Sequence, residues 1–260
     1  MKTESSDAFV ETIDGRLFVR RWRMGNGALA PIVLLHDSLG CVELWRDFPA
    51  ALANATGREV IAYDRLGFGR SDARTGPPSM DFIREEARGF PLLRDALGLE
   101  RFALFGHSVG GAMAVEIAAT QGDACAALVT ESAQAFVEER TREGIRAAKE
   151  RFADPAQLDR LARWHGDKAR WVLDAWTEVW LAPEFADWNL DPALARVRCP
   201  LLAIHGDHDE YGSVAFPRRI AAGVRGESRL AILDDCGHVP HREREADVLR
   251  LVAEFLDGIP

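Results

Sequence analysis

The chain has few of the features that mark membrane, secreted or nucleic-acid-binding proteins. No apolar run approaches the ~20 residues that a membrane-spanning helix needs, and residues 1–8 lack the apolar core of a signal peptide. Basic residues form no cluster, and the formal net charge is -9. We therefore expect the chain to bind neither nucleic acid nor an anionic membrane surface.

Cysteine is scarce as well. The four cysteines lie far apart and include no C-x-x-C pair; they are Cys41, Cys125, Cys199 and Cys236. This spacing argues against a structural zinc site, and reduced thiols are typical of cytoplasmic proteins. We therefore expect a cytoplasmic protein that holds no metal.

The chain does contain repeated strand–helix units, the signature of a mostly parallel sheet with helices on both faces. A length of 260 residues with 47% hydrophobic content fits one large domain. Strands are predicted at residues 9–11, 17–23, 31–36, 59–63, 101–105, 126–130, 200–205 and 229–233. Helices are predicted at residues 43–55, 81–97, 112–119, 215–222 and 242–256.

The alternation of strands and helices stops after the sixth strand. Residues 134–198 contain helical patterns without strands and hold five of the seven tryptophans: Trp164, Trp171, Trp176, Trp180 and Trp188. We therefore predict a core of residues 1–133 and 199–260, with residues 134–198 inserted as a helical cap. The tryptophans either hold the cap together or line an apolar pocket below it.

One pentapeptide indicates chemistry. Gly106-His107-Ser108-Val109-Gly110 follows an apolar strand and opens a helix. A serine in a G-x-S-x-G turn between strand and helix is typical of a nucleophile elbow. The alternative is a strand–helix junction in which glycines ease the turn and the serine caps the helix.

A serine nucleophile needs a histidine base, and the histidine needs a carboxylate to orient it. His238 lies on the loop after the last predicted strand and is the candidate base. Asp209 follows the preceding strand and is the candidate acid, with Asp207 as its main competitor and Glu131 as a more distant one. The order serine, acid, histidine is the order expected for an elbow enzyme.

The reaction also needs donors for the oxyanion and a pocket for the substrate. The backbone N–H of Val109 is one expected donor. The second is expected from residues 36–40, with Ser38 favoured and its neighbours Asp37 and Leu39 as alternatives. The predicted pocket residues are Asp37, Leu39, His107, Trp164, Trp176 and Trp180.

With these motifs in place, the chain resembles the α/β-hydrolase superfamily over essentially its full length. The matching motifs are residues 36–40 (HDSLG), 63–72 (YDRLGFGRSD), 106–110 (GHSVG), 205–209 (HGDHD) and 237–240 (GHVP). The resemblance implies the α/β-hydrolase fold: an eight-stranded sheet, a triad of Ser108, Asp209 and His238, and a helical cap. One residue departs from the pattern, because Asp37 stands where the family usually has glycine.

The same resemblance narrows the chemistry. A serine at the elbow argues against haloalkane dehalogenases and epoxide hydrolases, which have an aspartate there. Hydroxynitrile lyases use a lysine near the base, and this chain has no lysine after Lys168. Carbon–carbon hydrolases usually carry a more glycine-rich oxyanion loop and remain an alternative. Carboxylesterases and enol-lactonases fit best.

We therefore expect a serine hydrolase of a small or medium carboxylic ester, lactone or thioester, working without a metal or an organic cofactor. The expected partner is a small-molecule acyl substrate, and the expected state is a monomer or homodimer. A different class of function remains open, a ligand sensor that keeps the three residues but acts by binding.

Overall fold

The computed structural model describes residues 3–23 and 29–260, which form one eight-stranded sheet. Its strands are β1 (Glu4–Thr12), β2 (Gly15–Arg23), β3 (Ile32–Leu35), β4 (Val60–Tyr63), β5 (Phe102–His107), β6 (Cys125–Glu131), β7 (Leu201–Gly206) and β8 (Ser228–Leu233). The strand order is β1-β2-β4-β3-β5-β6-β7-β8. Strand β2 pairs antiparallel with β1 and β4, and every other pair is parallel. The predicted mostly parallel sheet is confirmed.

Helices cover both faces of this sheet. They are α1 (Phe48–Thr56), α2 (Phe82–Ala96), α3 (Val109–Gln121), α4 (Glu139–Arg151), α5 (Pro155–His165), α6 (Ala169–Leu181), α7 (Asp191–Leu194), α8 (Ala215–Gly223), α9 (Pro240–Glu243) and α10 (Glu245–Leu256). Because side chains alternate along a strand, Ile32 and Leu34 pack in a core with α1 and α10. Val33 and Leu35 point the other way, into a core with α2, α3 and α8. This double burial explains the continuous apolar runs of the central strands.

Two helices differ from their predicted bounds. One begins later in the chain than predicted, and the other is interrupted. Helix α1 begins at Phe48 rather than at residue 43, because Arg46 has a positive φ of 53° and Pro49 stands in the first turn of the helix. The predicted closing helix is split into α9 and α10 at Arg244, whose φ of -134° leaves the helical region. Periodicity alone does not reveal such backbone breaks.

Helices α4–α7 lie between β6 and β7, within the segment that the sequence predicts as a cap. His165 at the end of α5 fixes this segment to the loops after β3 and β4. Its Nδ1 accepts from the Gly69 N–H at 2.9 Å, so its Nε2 carries the proton and donates to the Leu39 carbonyl at 3.0 Å. Lys168 donates to the carbonyls of Gly69 and Ser71 at 2.9 and 2.8 Å.

None of the helices in the described ranges is long and apolar enough to cross a membrane. The loops after β3, β5, β6, β7 and β8 leave the same edge of the parallel sheet, where ligands bind in open α/β folds. The candidate catalytic residues Ser108, Asp209 and His238 lie on these loops.

Candidate active site

Ser108 lies at the sharp turn between β5 and α3. Its φ of 55° and ψ of -126° fall in a region that costs a residue with a Cβ atom free energy. The flanking glycines permit the close packing of this turn: a Cβ at Gly106 would lie 2.3 Å from the Gly110 carbonyl oxygen. A Cβ at Gly110 would lie 2.2 Å from the carbonyl oxygen of Leu35. The turn thus needs both glycines, and the strain is the kind found at functional sites.

The structure brings Ser108, His238 and Asp209 together. His238 Nε2 lies 3.0 Å from Ser108 Oγ, and His238 Nδ1 lies 2.8 Å from each carboxylate oxygen of Asp209. A carboxylate can only accept, so Nδ1 carries the proton and Nε2 accepts from the serine hydroxyl. This is the arrangement in which a histidine can take the serine proton.

Asp209 is held as an ionised carboxylate. Burial alone would raise its pKa, but attraction to His238 and the hydrogen bond between them lower it below the ordinary value. The Tyr211 N–H donates a further bond to Oδ1 at 2.8 Å. Asp209 is 1% exposed, so water does not compete for these bonds.

The two other acid candidates have different partners. Asp207 Oδ1 accepts from the Cys236 N–H at 3.3 Å. Glu131 Oε2 accepts from His241 Nδ1 at 2.6 Å, and both side chains are buried. Among the three acids, the distances therefore favour Asp209 as the partner of His238.

The oxyanion loop of residues 36–40 supports Ser38 over Leu39 as a donor. The Leu39 N–H already donates to Asp37 Oδ1 at 3.1 Å, whereas Ser38 lines one cleft with Val109 and a second with Ser108. Arg65 Nη2 donates to the Asp37 carbonyl at 2.8 Å, and this hydrogen bond stabilises the oxyanion loop. Burial lowers the pKa of Arg65. The identity of the second oxyanion donor remains a prediction. The N–H of Leu39, one of the alternatives, already donates to another acceptor.

Asp37 stands where the family usually has glycine, and its side chain contacts His107. Their Oδ2 and Nδ1 atoms lie 3.5 Å apart, and His107 Nε2 lies 2.9 Å from the His238 carbonyl, to which it donates. Burial alone would lower the pKa of His107, but the bond to Asp37 and the charge of Glu131 raise it. Burial alone would raise the pKa of Asp37, but His107 lowers it. His107 thus connects the oxyanion loop to the loop that carries His238.

Three buried residues behind the nucleophile are of the types that bind metal ions. His107, Glu131 and His241 each offer a ligand atom, and these atoms lie within 4.8 Å of one another. His241 Nδ1 donates to Glu131 Oε2, and His107 Nε2 donates to the His238 carbonyl. Burial alone would raise the pKa of Glu131, but attraction to His241 lowers it.

A cavity of about 200 Å³ opens beside Ser108. Its lining residues are Asp37, Ser38, Leu39, Ser108, Gln134, Thr141, Ile145, Trp176, Trp180, Tyr211, His238 and Val239. Most of the surface is apolar, so the cavity suits a hydrocarbon chain or ring beside Ser108.

Four of the six predicted pocket residues line this cavity, and two do not. Trp164 is 43% exposed, because α5 turns Leu161 inward and Trp164 outward. His107 lies behind the nucleophile, where its ring packs 4.9 Å from that of His241. The predicted pocket role is therefore wrong for Trp164 and His107.

Five cavity residues were not predicted from the sequence, namely Gln134, Thr141, Ile145, Tyr211 and Val239, and two of them contact Ser108 or His238. Gln134 follows β6, and its Nε2 lies 3.3 Å from Ser108 Oγ. The Tyr211 ring packs 4.9 Å from the ring of His238. Both residues follow strands at the ligand-binding edge of the sheet, and this position is the signal that could have identified them.

Comparisons with known proteins identify hydrolases that resemble this chain over most of its length. The family model for the α/β-hydrolase fold matches residues 30–245. A 2-hydroxy-6-oxononadienedioate/2-hydroxy-6-oxononatrienedioate hydrolase of Paraburkholderia xenovorans (strain LB400) is 28% identical over 94% of this chain and 92% of its own length. A proline iminopeptidase of Saccharolobus solfataricus is 24% identical over 90% and 87%. The structure of an enol-lactonase from Burkholderia xenovorans LB400 superposes with a TM-score of 0.73 at 22% identity, covering 96% of this chain and 100% of that one.

Proposed function

The chain belongs to the α/β-hydrolase family, and we propose that it is a serine hydrolase that cleaves a small or medium carboxylic ester, lactone or thioester through an acyl-enzyme on Ser108. One observation carries the proposal: the hydrogen-bonded row from Ser108 Oγ through His238 to Asp209. Such a row converts a weak nucleophile into one that attacks a carbonyl carbon.

In the first step, Ser108 Oγ attacks the carbonyl carbon while its proton moves to His238 Nε2. The ionised Asp209 stabilises the imidazolium that forms. Negative charge develops on the carbonyl oxygen, and we assign the N–H groups of Val109 and Ser38 as its donors. His238 then gives its proton to the leaving oxygen or sulfur as the bond to the carbonyl carbon breaks.

The second step repeats this chemistry with water. His238 takes a proton from a water molecule, which attacks the acyl carbon, and the proton returns to Ser108 Oγ as the acid leaves. We place the acyl group in the 200 Å³ cavity, against Trp176 and Trp180. Its size and apolar walls support a small or medium acyl group.

The proposal is tested with chromogenic esters, lactones and thioesters of graded size. Wild type is compared with Ser108→Ala and with Ser6→Ala, a control at an exposed serine of β1. We expect hydrolysis by wild type and Ser6→Ala, with loss of about 10⁴-fold or more in kcat for Ser108→Ala. Equal rates in the folded Ser108→Ala variant would reject the serine mechanism.

Carbon–carbon bond hydrolysis is the second candidate. Its support is that relatives named as 2-hydroxy-6-oxo-dienoate hydrolases match most of this chain, one of them at 28% identity. Adding 2-hydroxy-6-oxo-6-phenylhexa-2,4-dienoate to the substrate panel separates the two reactions. A kcat/KM for this compound far above that of every ester would favour the second candidate.

Two further points belong to the proposal. We propose a cytoplasmic protein, supported by the four free cysteines of the structure. We propose a monomer or homodimer whose partner is a small-molecule acyl substrate. Binding of a ligand without turnover, together with a ligand-dependent partner protein, would instead support the sensor role.

A further inference from the structure

Gln134 is a buried polar side chain that the hydrolysis mechanism leaves without a task. It is 4% exposed and lines the cavity beside Ser108. Its Nε2 lies 3.3 Å from Ser108 Oγ. Within residues 3–23 and 29–260, its Oε1 atom has no hydrogen-bond partner. A buried amide oxygen without a donor is costly and calls for an explanation.

The proton count around Ser108 fixes which end of the amide faces the serine. His238 Nδ1 carries a proton for Asp209, so Nε2 can only accept, and it takes the single proton of the Ser108 hydroxyl. Ser108 Oγ has no second proton to donate. The Gln134 group that faces it must therefore be the NH₂ group, which leaves the carbonyl oxygen free.

Two neighbouring hydroxyl groups of the cavity, those of Thr141 and Tyr211, have other partners. Thr141 Oγ1 donates to the Tyr211 carbonyl at 2.7 Å. The Tyr211 hydroxyl lies 3.3 Å from Arg151, which donates to it, at the exposed side of the ring. The carbonyl oxygen of Gln134 thus lacks a donor from these two hydroxyls, in a residue that lines the cavity.

The position of the amide indicates which part of a substrate it meets. The carbonyl carbon of the substrate bonds to Ser108 Oγ, and the leaving group must face His238 to receive its proton. We place the acyl side toward the other partner of Oγ, which is Gln134. Since Oε1 and Nε2 share one carbon, a substrate donor that meets Oε1 would be one carried next to the carbonyl carbon, on the acyl side.

We propose that Gln134 Oε1 accepts a hydrogen bond from a hydroxyl or N–H group on the carbon beside the scissile carbonyl. The preferred substrates are then esters, lactones or thioesters of 2-hydroxy or 2-amino acids. This inference rests on the proposed acyl chemistry of Ser108. It makes Gln134 a substrate-binding residue that determines specificity.

Three methyl esters test the inference: methyl 2-hydroxyhexanoate, methyl 2-methoxyhexanoate and methyl hexanoate. The methoxy compound keeps the oxygen but lacks the donor. Acid release is followed with a pH indicator for wild type, Gln134→Leu and Gln157→Leu, a control on α5 outside the cavity. The ratio of kcat/KM between hydroxy and methoxy esters is compared within each variant, so any general loss of rate cancels.

Wild type and Gln157→Leu are expected to prefer one enantiomer of the hydroxy ester over the methoxy ester by about tenfold, the effect of one hydrogen bond. Gln134→Leu is expected to show a ratio near one. A ratio near one in wild type would overturn the inference, and so would a preference that survives in Gln134→Leu.

A binding arm separates failure of the inference from failure of the proposed function. If wild type hydrolyses none of the three esters through Ser108, hydrolysis of such esters is rejected, whatever the role of Gln134. Binding of the intact esters to Ser108→Ala, measured by calorimetry, then tests Gln134 alone. The hydroxy ester is expected to bind about tenfold more tightly than the methoxy ester, and to lose this advantage in Ser108→Ala/Gln134→Leu. Equal affinities, or no measurable binding of the hydroxy ester, would overturn the inference.

Discussion

Replacing Asp37 by asparagine tests whether the acid in the oxyanion loop forms a charged pair with His107. Asparagine keeps a side-chain oxygen to accept from the Leu39 N–H but removes the negative charge. The contact at risk is the 3.5 Å approach of Asp37 Oδ2 to His107 Nδ1. We expect the variant to fold with a lower free energy of unfolding, and the loss to depend on pH.

The magnitude follows from the geometry. A hydrogen bond to a charged group contributes about 1.5–3 kcal/mol. The distance here is long, and the Asp37 side chain is 34% exposed, so screening by water reduces the value. We expect Asp37→Asn to lose roughly 1 kcal/mol of unfolding free energy where both groups are charged.

The pH window follows from the two pKa shifts. The pKa of His107 is raised above 6.5, so its contribution is fully present below pH 6.5 and is lost as the pH rises through the raised value. The pKa of Asp37 is lowered below 3.8, so its contribution is present above pH 3.8 and is lost as the pH falls through the lowered value. The pair therefore stabilises the fold most between these two limits.

The assay is urea unfolding followed by tryptophan fluorescence at about pH 5.5 and about pH 9, on either side of the His107 titration. Asp123→Asn, at an exposed position, is the matched control. The difference between wild type and Asp37→Asn should be largest at the lower pH and shrink at the higher one. A difference that is equal at both pH values, or is absent at the lower one, would refute the charged pair.

Three further predictions follow from single contacts. Asp209→Asn should keep the far-ultraviolet circular dichroism of wild type but lower kcat about 10⁴-fold, because His238 loses the partner that fixes its tautomer; an unchanged kcat would move the acid to another residue. Gly110→Ala should unfold at lower urea concentration and lose activity, because its Cβ would lie 2.2 Å from the Leu35 carbonyl oxygen; wild-type values for both would contradict the close packing of the elbow. Lys168→Met should lower the free energy of unfolding by about 1–3 kcal/mol, because the buried carbonyls of Gly69 and Ser71 lose their donor; a loss below about 0.5 kcal/mol would show that water replaces it.

The parts of the fold that could be predicted are those set by local patterns. Strands such as β3 and β5 are apolar on both faces, and this continuous pattern marks them in the sequence. The elbow is equally local, because Gly106 and Gly110 are needed within a few residues of Ser108. The position of Asp209, three residues past Gly206 at the carboxyl edge of the sheet, also favours it over Asp207 on sequence alone.

The remainder depends on contacts between distant segments. In the sequence, Asp37 only departs from the glycine of the family pattern. The contact with His107, which lies on another strand, is visible only in the structure. Trp164 and Trp180 have the same residue type and similar spacing, yet only Trp180 faces inward, because the rotation of α5 and α6 on the core decides it. Gln134 belongs to no motif, and its proximity to Ser108 arises from the pairing of β5 with β6.

The central claim is that Ser108 becomes acylated, and mass spectrometry tests it most directly. Wild type is mixed with 4-nitrophenyl acetate, quenched in acid within the first turnovers, digested and analysed by peptide mass. The account predicts an acetyl group on Ser108, and no acetyl group on that peptide when Ser108→Ala is treated in the same way. Rapid release of nitrophenol with no acetylated Ser108, or with the acetyl group on another residue, would contradict the claim.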